Sequence, residues 1–387
     1  MRAPGTCEGI AAVEYVMDHI AFSLNKDPLQ IRLINMRTTD NDLPEMIKTL
    51  KKNANYKERL AYVKQFNESN RWMKRAININ VMSFPVIYYG NYTAMVTIYR
   101  GDGTVTVTTG GIEMGQGANT KAAQVCAREL GIPLEYVHVI PHYTFIAANN
   151  IFSAASIATE SVTYSIIKAC EVLKSRLAPI RARLGNAPWQ SVVKAAANAQ
   201  IDLTSSYMMR DTDENLKEYN AFAVSIIEVH LDCLTGTFQM PRVDILEDCG
   251  VSINPAVDIG QVEGAFIQGL GYFTSEKLVY DKATGRLLTN RSLTYHVPLC
   301  QDIPIVYNIS LRHNPNNTQG VLGAKTCGEM GICTAHGITL ALRECIMASR
   351  KESGHDPTKW INIDIPFDTE SILKALNTKI EEFVLAP

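Results

Sequence analysis

The chain has almost no net charge and no long apolar run. Of its 387 residues, 37 are lysine or arginine and 39 are aspartate or glutamate, which leaves a formal net charge of −2. This balance gives no electrostatic reason to expect a nucleic acid or an anionic membrane as a partner. No segment approaches the length of a membrane span, and residues 1–9 lack the apolar core of a signal peptide.

The nine cysteines are odd in number and never occur as a C-x-x-C pair. This pattern excludes a disulfide framework and the usual cysteine sites for zinc or iron–sulfur clusters. The histidines form no H-E-x-x-H motif. We therefore expect reduced, mostly buried thiols in a cytoplasmic protein, and no metal held directly by side chains.

Hydrophobic periodicity predicts a mixture of helices and strands. Apolar residues at spacings of three and four predict an amphipathic helix over 10–24, with its apolar face carried by Ile10, Val13, Met17, Ile20 and Leu24. Further helices are predicted over 121–130, 157–178, 261–270 and 337–347, and strands over 95–99, 105–109, 136–140, 224–231, 237–246, 277–280 and 305–311. Segments 27–74 and 185–218 are expected to be partly helical connections. Strands and helices do not alternate regularly, which favours α+β packing over a doubly wound sheet.

The most informative segment is Gly110–Gly117, with the sequence G-G-I-E-M-G-Q-G, between a predicted strand and a predicted helix. Its glycines allow close backbone approach, and free amides ahead of a helix suit a large anionic ligand. Glu113 is its first candidate for a reactive residue. The segment matches neither the dinucleotide motif nor the P-loop. A structural glycine turn explains it equally well.

Three further small or glycine-rich segments precede helices. The Arg2–Gly5 segment either holds an anion through Arg2 or places that arginine on the surface. The Ser153–Ser156 segment either exposes first-turn amides or, as the favoured explanation, provides a plain serine N-cap. The glycines of the Asn254–Gly271 segment indicate close approach to a ligand or a tight helix–helix contact.

Glu329 stands between glycines and apolar residues in the segment Cys327–Gly331. Desolvation would raise its pKa and suit a general base. A glutamate favoured by the dipole at a helix N-terminus is the slightly preferred alternative. Phe84 is expected to be an ordinary core aromatic.

Taken in order, these segments resemble the xanthine dehydrogenase and aldehyde oxidase family of molybdenum hydroxylases. The resemblance extends from residue 1 to about residue 375 and concerns the C-terminal molybdopterin-binding region of those enzymes. It is carried by Arg2–Gly9, Gly110–Gly117, Ser153–Ser156, Asn254–Gly271 and Lys325–Glu329.

The resemblance implies an α+β fold of the molybdopterin-binding type with two α/β subdomains, residues 1–215 and 216–387. It also implies that the molybdenum is held by the dithiolene sulfurs of the pterin. Glu329, in the second subdomain, would deprotonate a hydroxyl group on the metal, and hydride would pass to a sulfur on the metal. The cofactor-binding positions implied are Arg2, Gly115, Gln116, Ala155, Ser156 and Gln261.

Two substrate positions follow from the same resemblance. Phe84 would stack on a planar substrate, which reverses the core interpretation given above. Pro4 occupies a position where xanthine-type enzymes have a second aromatic residue, and this departure favours an aldehyde-oxidase-like pocket for aldehydes or N-heterocycles. Met330 and Gly331 replace two prolines of the xanthine-type enzymes, so the loop carrying Glu329 is expected to be more mobile.

The resemblance also implies parts that this chain does not contain. Iron–sulfur clusters and FAD are expected only in N-terminal regions of a full-length, homodimeric enzyme. The chain is therefore expected to be a C-terminal part of a longer protein or a truncated gene product. Two alternatives remain: a catalytically inactive cofactor-binding or assembly module, and a phosphate-ligand enzyme that uses the Gly110–Gly117 segment directly.

Overall fold

Two four-stranded sheets organise the chain in the computed structural model, which describes residues 2–383. The first sheet has the order β1 (Met73–Val86), β6 (Tyr219–Asp232), β7 (Phe238–Glu247), β8 (Val306–Leu311), and the second has the order β4 (Val137–Val139), β3 (Val105–Thr109), β2 (Asn91–Ile98), β5 (Thr204–Arg210). The helices are α1 (Thr6–Ser23), α2 (Pro28–Asn35), α3 (Leu43–Asn53), α4 (Tyr56–Ser69), α5 (Ala118–Leu130), α6 (Ala158–Leu184), α7 (Trp189–Asn198), α8 (Pro255–Thr274), α9 (Met330–Thr334), α10 (Gly337–Glu352) and α11 (Thr369–Leu376). This mixed arrangement confirms the predicted α+β class.

The middle part of β1, in the first sheet, is buried on both faces. On β1, Ile77, Ile79 and Val81 belong to a core with α3 and α4. The alternate residues Met82 and Phe84 belong to the main core, which includes residues of α9 and α10. The sequence analysis did not predict β1, although Ile77, Ile79 and Val81 alternate with Asn78 and Asn80. Both asparagines are buried, so this alternation does not mark a solvent-exposed face.

The second sheet packs against α5 and α6. The strands predicted over 95–99 and 105–109 are confirmed as β2 and β3, which pair in antiparallel fashion as a hairpin around the turn at 101–103. The prediction for segment 185–218 was incomplete, because α7 makes it partly helical as predicted but it also contains β5. One prediction was wrong. Residues 277–280 form an isolated bridge, between Tyr280 and Leu287, and belong to neither of the two sheets.

Helix α1 buries charged side chains and exposes apolar ones. The predicted helix is confirmed, but Val13 is 59% exposed and Leu24 is 58% exposed. The buried face carries Glu14 and Asp18, whose carboxylates both face Arg32 on α2. A buried arginine needs carboxylate partners. The need to pair Arg32 therefore explains why the face with Glu14 and Asp18 is buried, whereas the predicted apolar face is exposed.

The subdomain boundary predicted at residue 215 falls between β5 and β6. The first sheet combines β1, from before that boundary, with β6, β7 and β8 from after it. The division into two subdomains therefore stays a prediction, and residues 384–387 of the second one lie outside the described residues. Within residues 2–383, no helix combines the length and apolarity needed to span a bilayer.

The buried ion pairs of Arg32 generate a stability prediction. Arg32→Met should lower the free energy of unfolding by about 3–5 kcal/mol, because the buried carboxylates of Glu14 and Asp18 lose their salt-bridge partner. Urea unfolding followed by circular dichroism measures this loss. The control is Lys374→Met, which breaks an exposed pair with Glu370 and should cost at most about 1 kcal/mol. Equal losses in the two variants would contradict the assigned role of Arg32.

Candidate functional site

Arg2 brings several of the predicted segments together. Its Nη1 donates hydrogen bonds to the backbone oxygen of Gln261 at 3.0 Å and to that of Gly328 at 2.9 Å. The side-chain amide of Gln261 lies 3.5 Å from the carbonyl oxygen of Gly115. A Cβ atom added to Gly328 would lie 3.2 Å from Ser156 Oγ. These five residues are far apart in the sequence, but they lie next to one another around Arg2 in the structure.

Glu329 lies at this place, half-buried at the N-cap position of α9 and without a side-chain capping bond. Burial raises the pKa of its carboxyl group above the ordinary value. The backbone amide of Ala3, the charge of Arg2 and the backbone amide of Ala155 oppose that shift. The result is a carboxylate with increased basicity that still has donors around its charged form.

The two loops that face Glu329 have unusual backbone conformations. Ala3 has φ 51°, Ala155 has φ 52° and Ser156 has φ 57°. Each left-handed residue with a Cβ costs about 1–2 kcal/mol. Such strain persists only where the surroundings determine it, and it concentrates at functional sites.

The Ser153–Ser156 segment does not provide the serine N-cap that sequence favoured. The N-cap residue of α6 is Ile157, and no side chain caps this helix. Ser153 Oγ instead accepts a hydrogen bond from the amide of Ile112 at 2.9 Å. The segment therefore contacts the Gly110–Gly117 loop through Ser153 and faces Glu329 through the amide of Ala155.

The residues that precede Glu329 are each held by a different element. Lys325 forms a buried ion pair with Asp248, with 2.6 Å between Nζ and Oδ2. The amide of Thr326 donates to the hydroxyl group of Tyr219 at 2.9 Å. Sequence reasoning missed Asp248 and Tyr219, because no local motif marks a residue that contacts a loop from a distant strand.

A buried ion pair contacts the loop that precedes Glu329. Lys121 Nζ on α5 lies 2.5 Å from Asp258 Oδ1 on α8. Cys327 Sγ donates to the same oxygen at 3.4 Å, and Ser252 Oγ donates to the other carboxylate oxygen at 2.5 Å. Asp258 thus connects three of the predicted segments. Nothing in the sequence pattern indicated Lys121 as its partner.

The expectation of free amides in the Gly110–Gly117 loop was wrong for part of the loop. The Glu113 carboxylate accepts hydrogen bonds from the amides of Gly115 at 2.8 Å, Gly117 at 2.9 Å and Asn119 at 2.9 Å. A glutamate within the loop thereby satisfies the orphan donors at the start of α5. Glu113 is a structural residue of this loop.

The remaining polar side chain of the loop also folds back on it. The side-chain amide of Gln116 bonds to the carbonyl of Ile112 and the amide of Met114. A Cβ atom at Gly117, which has φ 80°, would lie 2.5 Å from Val257 on α8. The glycine turn therefore has a structural role here, and the role of Gln116 in cofactor binding stays a prediction.

The glycines of the Asn254–Gly271 segment have two different surroundings. A Cβ atom at Gly269 would lie 2.6 Å from the carbonyl oxygen of Ile332, so this glycine allows a tight contact between α8 and α9. A Cβ atom at Gly260 would meet nothing within 4 Å, and one at Gly264 would meet only Arg2 Nη2. The first turns of α8 therefore leave open space beside Arg2.

The two predicted substrate residues differ in exposure. Phe84 is 5% exposed and lies in the main core, where its ring is covered by protein. Pro4 is exposed, next to the buried residue Ala3. Their roles toward a substrate stay predictions.

The surroundings of Arg2 suit an anionic group. In the described part of the chain, no cluster of three or more histidine, cysteine or acidic side chains could hold a metal ion. Open space lies beside Gly115 and Gly260, and the hydrogen bonds that Arg2 makes to residues 2–383 use Nη1 only. A positive side chain next to open, small-residue loops fits a phosphorylated cofactor.

Comparison with known proteins agrees with this arrangement. A family model described as a molybdopterin cofactor-binding domain matches residues 49–304. Xanthine dehydrogenase of Drosophila subobscura is 33% identical to the chain, over 100% of the chain and 30% of that protein. Probable aldehyde oxidase 2 of Oryza sativa subsp. japonica is 33% identical over 97% of the chain and 29% of that protein.

Solved structures share the fold. CO dehydrogenase from Oligotropha carboxidovorans superposes with a TM-score of 0.80 at 19% identity, over 95% of this chain and 51% of that one. Aldehyde oxidoreductase from Desulfovibrio desulfuricans superposes with a TM-score of 0.76 at 22% identity, over 97% of this chain and 41% of that one. The chain spans only 30% of the Drosophila relative's length. On the strength of the sequence matches, the chain belongs to the xanthine dehydrogenase and aldehyde oxidase family of molybdenum hydroxylases, and it corresponds to their molybdopterin-binding region.

Proposed function

We propose that this chain is the substrate-oxidising part of an aldehyde-oxidase-like molybdenum hydroxylase that acts on aldehydes or N-heterocycles. The observation that carries the proposal is the position of Glu329, whose half-buried carboxylate faces Arg2 and the amides of Ala3 and Ala155. When bound, the molybdenum cofactor supplies the two-electron acceptor for hydroxylation with oxygen from water.

In this proposal Glu329 accepts the proton that is released when the substrate is hydroxylated. Burial makes its carboxylate a stronger base, while the nearby cation and amides keep it available in the deprotonated form. Small residues surround it and leave room for cofactor and substrate. The residues that would hold the cofactor are Arg2, Gly115, Gln116, Ala155, Ser156 and Gln261.

The structure disfavours the phosphate-ligand alternative. An anion on the Gly110–Gly117 loop would compete with Glu113, which already occupies the amides of Gly115, Gly117 and Asn119. An inactive cofactor-binding or assembly module has the same fold as the enzyme, so it is distinguished by measurement.

The proposal also includes the electron-transfer cofactors, the homodimer and the cellular location of the full-length enzyme. Because the chain covers 30% of a relative such as the Drosophila protein, we place iron–sulfur clusters and FAD in the remainder of a full-length homodimeric enzyme. The nine cysteines of this chain form no disulfide bonds, which supports a location in the reducing cytoplasm. Continuous coding upstream of Met1 for a cysteine-rich domain and a flavin domain would support the enzyme over the inactive module.

Glu329→Gln tests the base directly. In the full-length enzyme that carries this chain, the variant should lose turnover by about 10²- to 10⁴-fold, because glutamine cannot accept a proton. Molybdenum content, measured by plasma mass spectrometry, should stay unchanged, because the substitution keeps size and shape.

Glu344→Gln is the matched control. Glu344 is an exposed glutamate that accepts a hydrogen bond from Asn78 on β1 and lies outside the site, so the same substitution is made away from the proposed chemistry. This variant should keep its turnover. The assignment of Glu329 is wrong if Glu329→Gln retains turnover within a few-fold. Absence of molybdenum from the wild-type enzyme would support the inactive module.

The pH profile gives a second test. A base works only when deprotonated, and burial raises the pKa of Glu329 above 4.5. The protonated, inactive fraction is therefore larger at any acidic pH than for an ordinary glutamate. We expect kcat/KM, measured from about pH 4 to about pH 9, to fall on the acid side with a midpoint above 4.5. A midpoint at or below that value would contradict the environment described for Glu329.

Pro4 tests the substrate preference. Pro4→Phe adds an aromatic ring at an exposed position beside the site, and stacking on a planar purine should lower KM for purines about 2- to 12-fold. KM for small aliphatic aldehydes should not change. Pro4→Ala controls for the loss of the proline ring. If purine kinetics are the same in both variants, Pro4 does not determine substrate preference.

A further inference from the structure

Glu160 is a buried carboxyl group for which the proposed reaction has no use. It lies on α6, is 4% exposed, and accepts hydrogen bonds from the hydroxyl groups of Tyr88, at 2.5 Å, and Tyr219. Burial raises the pKa of Glu160 to about 7, although both tyrosines favour its charged form. Such a group is costly to bury, and its partners account for its presence.

Of the two tyrosines, Tyr219 also hydrogen-bonds to the segment that precedes Glu329. The oxygen of Tyr219, besides donating its proton to Glu160, accepts the amide hydrogen of Thr326 at 2.9 Å. Among residues 2–383, the Tyr88 hydroxyl donates to Glu160 and makes no other hydrogen bond. The chain of contacts therefore runs from Glu160 through Tyr219 to a backbone amide three residues before Glu329.

Thr326 adds a contact on the opposite side of the site. Its Oγ1 donates to the carbonyl oxygen of Ser156 at 3.3 Å. Ser156 follows Ala155, whose amide faces Glu329. Thr326 thus joins the Glu329 loop to the left-handed loop opposite, and Tyr219 holds the amide of the residue that makes this connection.

We propose that Tyr219, oriented by Glu160, is a positioning residue that holds the Lys325–Glu329 segment and thereby places Glu329 against Ala3 and Ala155. Within residues 2–383, the hydrogen bonds of the Tyr219 hydroxyl are those with Glu160 and Thr326, and neither partner is a predicted cofactor position. Its oxygen has a donor on one side and an acceptor on the other, so both its hydrogen bonds are directional. The catalytic consequence of this inference rests on the proposed function, but the positioning itself does not.

A pair of identical substitutions tests the proposal. Tyr219→Phe and Tyr88→Phe each remove one buried hydroxyl donor from Glu160, and only the first also leaves the Thr326 amide without a partner. Hydrogen–deuterium exchange of the 387-residue chain, read by mass spectrometry on peptides covering 325–329, compares them. We expect exchange about tenfold faster in Tyr219→Phe and within about twofold of wild type in Tyr88→Phe.

Peptides from β2 serve as the internal reference, because a general loss of stability would accelerate their exchange as well. Equal acceleration at 325–329 in the two variants would overturn the proposal. If Tyr219→Phe does not fold, the proposal is tested by the exchange rates of the amides at 325–329 in the wild-type chain. Amides at 325–329 that exchange as fast as an unstructured loop would show that Tyr219 does not hold the segment.

A kinetic measurement separates this proposal from the proposed function. In the loaded full-length enzyme, Tyr219→Phe should lower kcat about tenfold with KM within about twofold, because the base is displaced while substrate contacts remain. Tyr88→Phe should leave kcat unchanged. If Glu329 is not the base, kcat does not respond to Tyr219→Phe, whereas the exchange experiment, which needs no molybdenum, still reports whether Tyr219 positions the segment.

Discussion

The buried ion pair between Lys121 and Asp258 is the interaction on which the site depends. It connects α5, which packs on the second sheet, with α8, which lies against the main core. Cys327 donates to the same carboxylate, so the loop before Glu329 is tied to this junction. Removing one partner of such a pair costs about 3–5 kcal/mol, whereas replacing both by apolar residues is often tolerated. Its role is therefore better described as setting the relative position of three segments than as adding net stability.

Much of the site was predictable from the sequence because its parts are local. A glycine-rich turn, a run of small residues or a glutamate between glycines occupies a few consecutive positions, and the order of these motifs along the chain carried the resemblance to the family. Arg2, Gly115, Ser156, Gln261 and Glu329 do converge in the structure. What the motifs do not contain is the set of contacts that hold them in place, since Tyr219, Lys121 and Asp248 contact the loops across long sequence separations.

The fold was predictable where one face of an element is exposed. The hairpin of β2 and β3 alternates between buried and half-buried residues, and its turn residues are characteristic. Strand β1 is buried on both faces in its middle part, where even the alternating residues Asn78 and Asn80 are covered. Helix α1 misleads in the other direction, because Arg32 draws Glu14 and Asp18 inward. Hydrophobic periodicity predicts that α1 is a helix, but only the ion pairs determine which side of it is buried.

The Gly110–Gly117 loop carries its own counter-anion. Because Glu113 binds the amides of Gly115, Gly117 and Asn119, the backbone there is already ordered in the chain alone. Ordering one backbone residue costs about 1–2 kcal/mol of conformational entropy. A ligand that meets this loop therefore does not have to supply that free energy, and its affinity reflects the contacts it makes rather than the folding of its site.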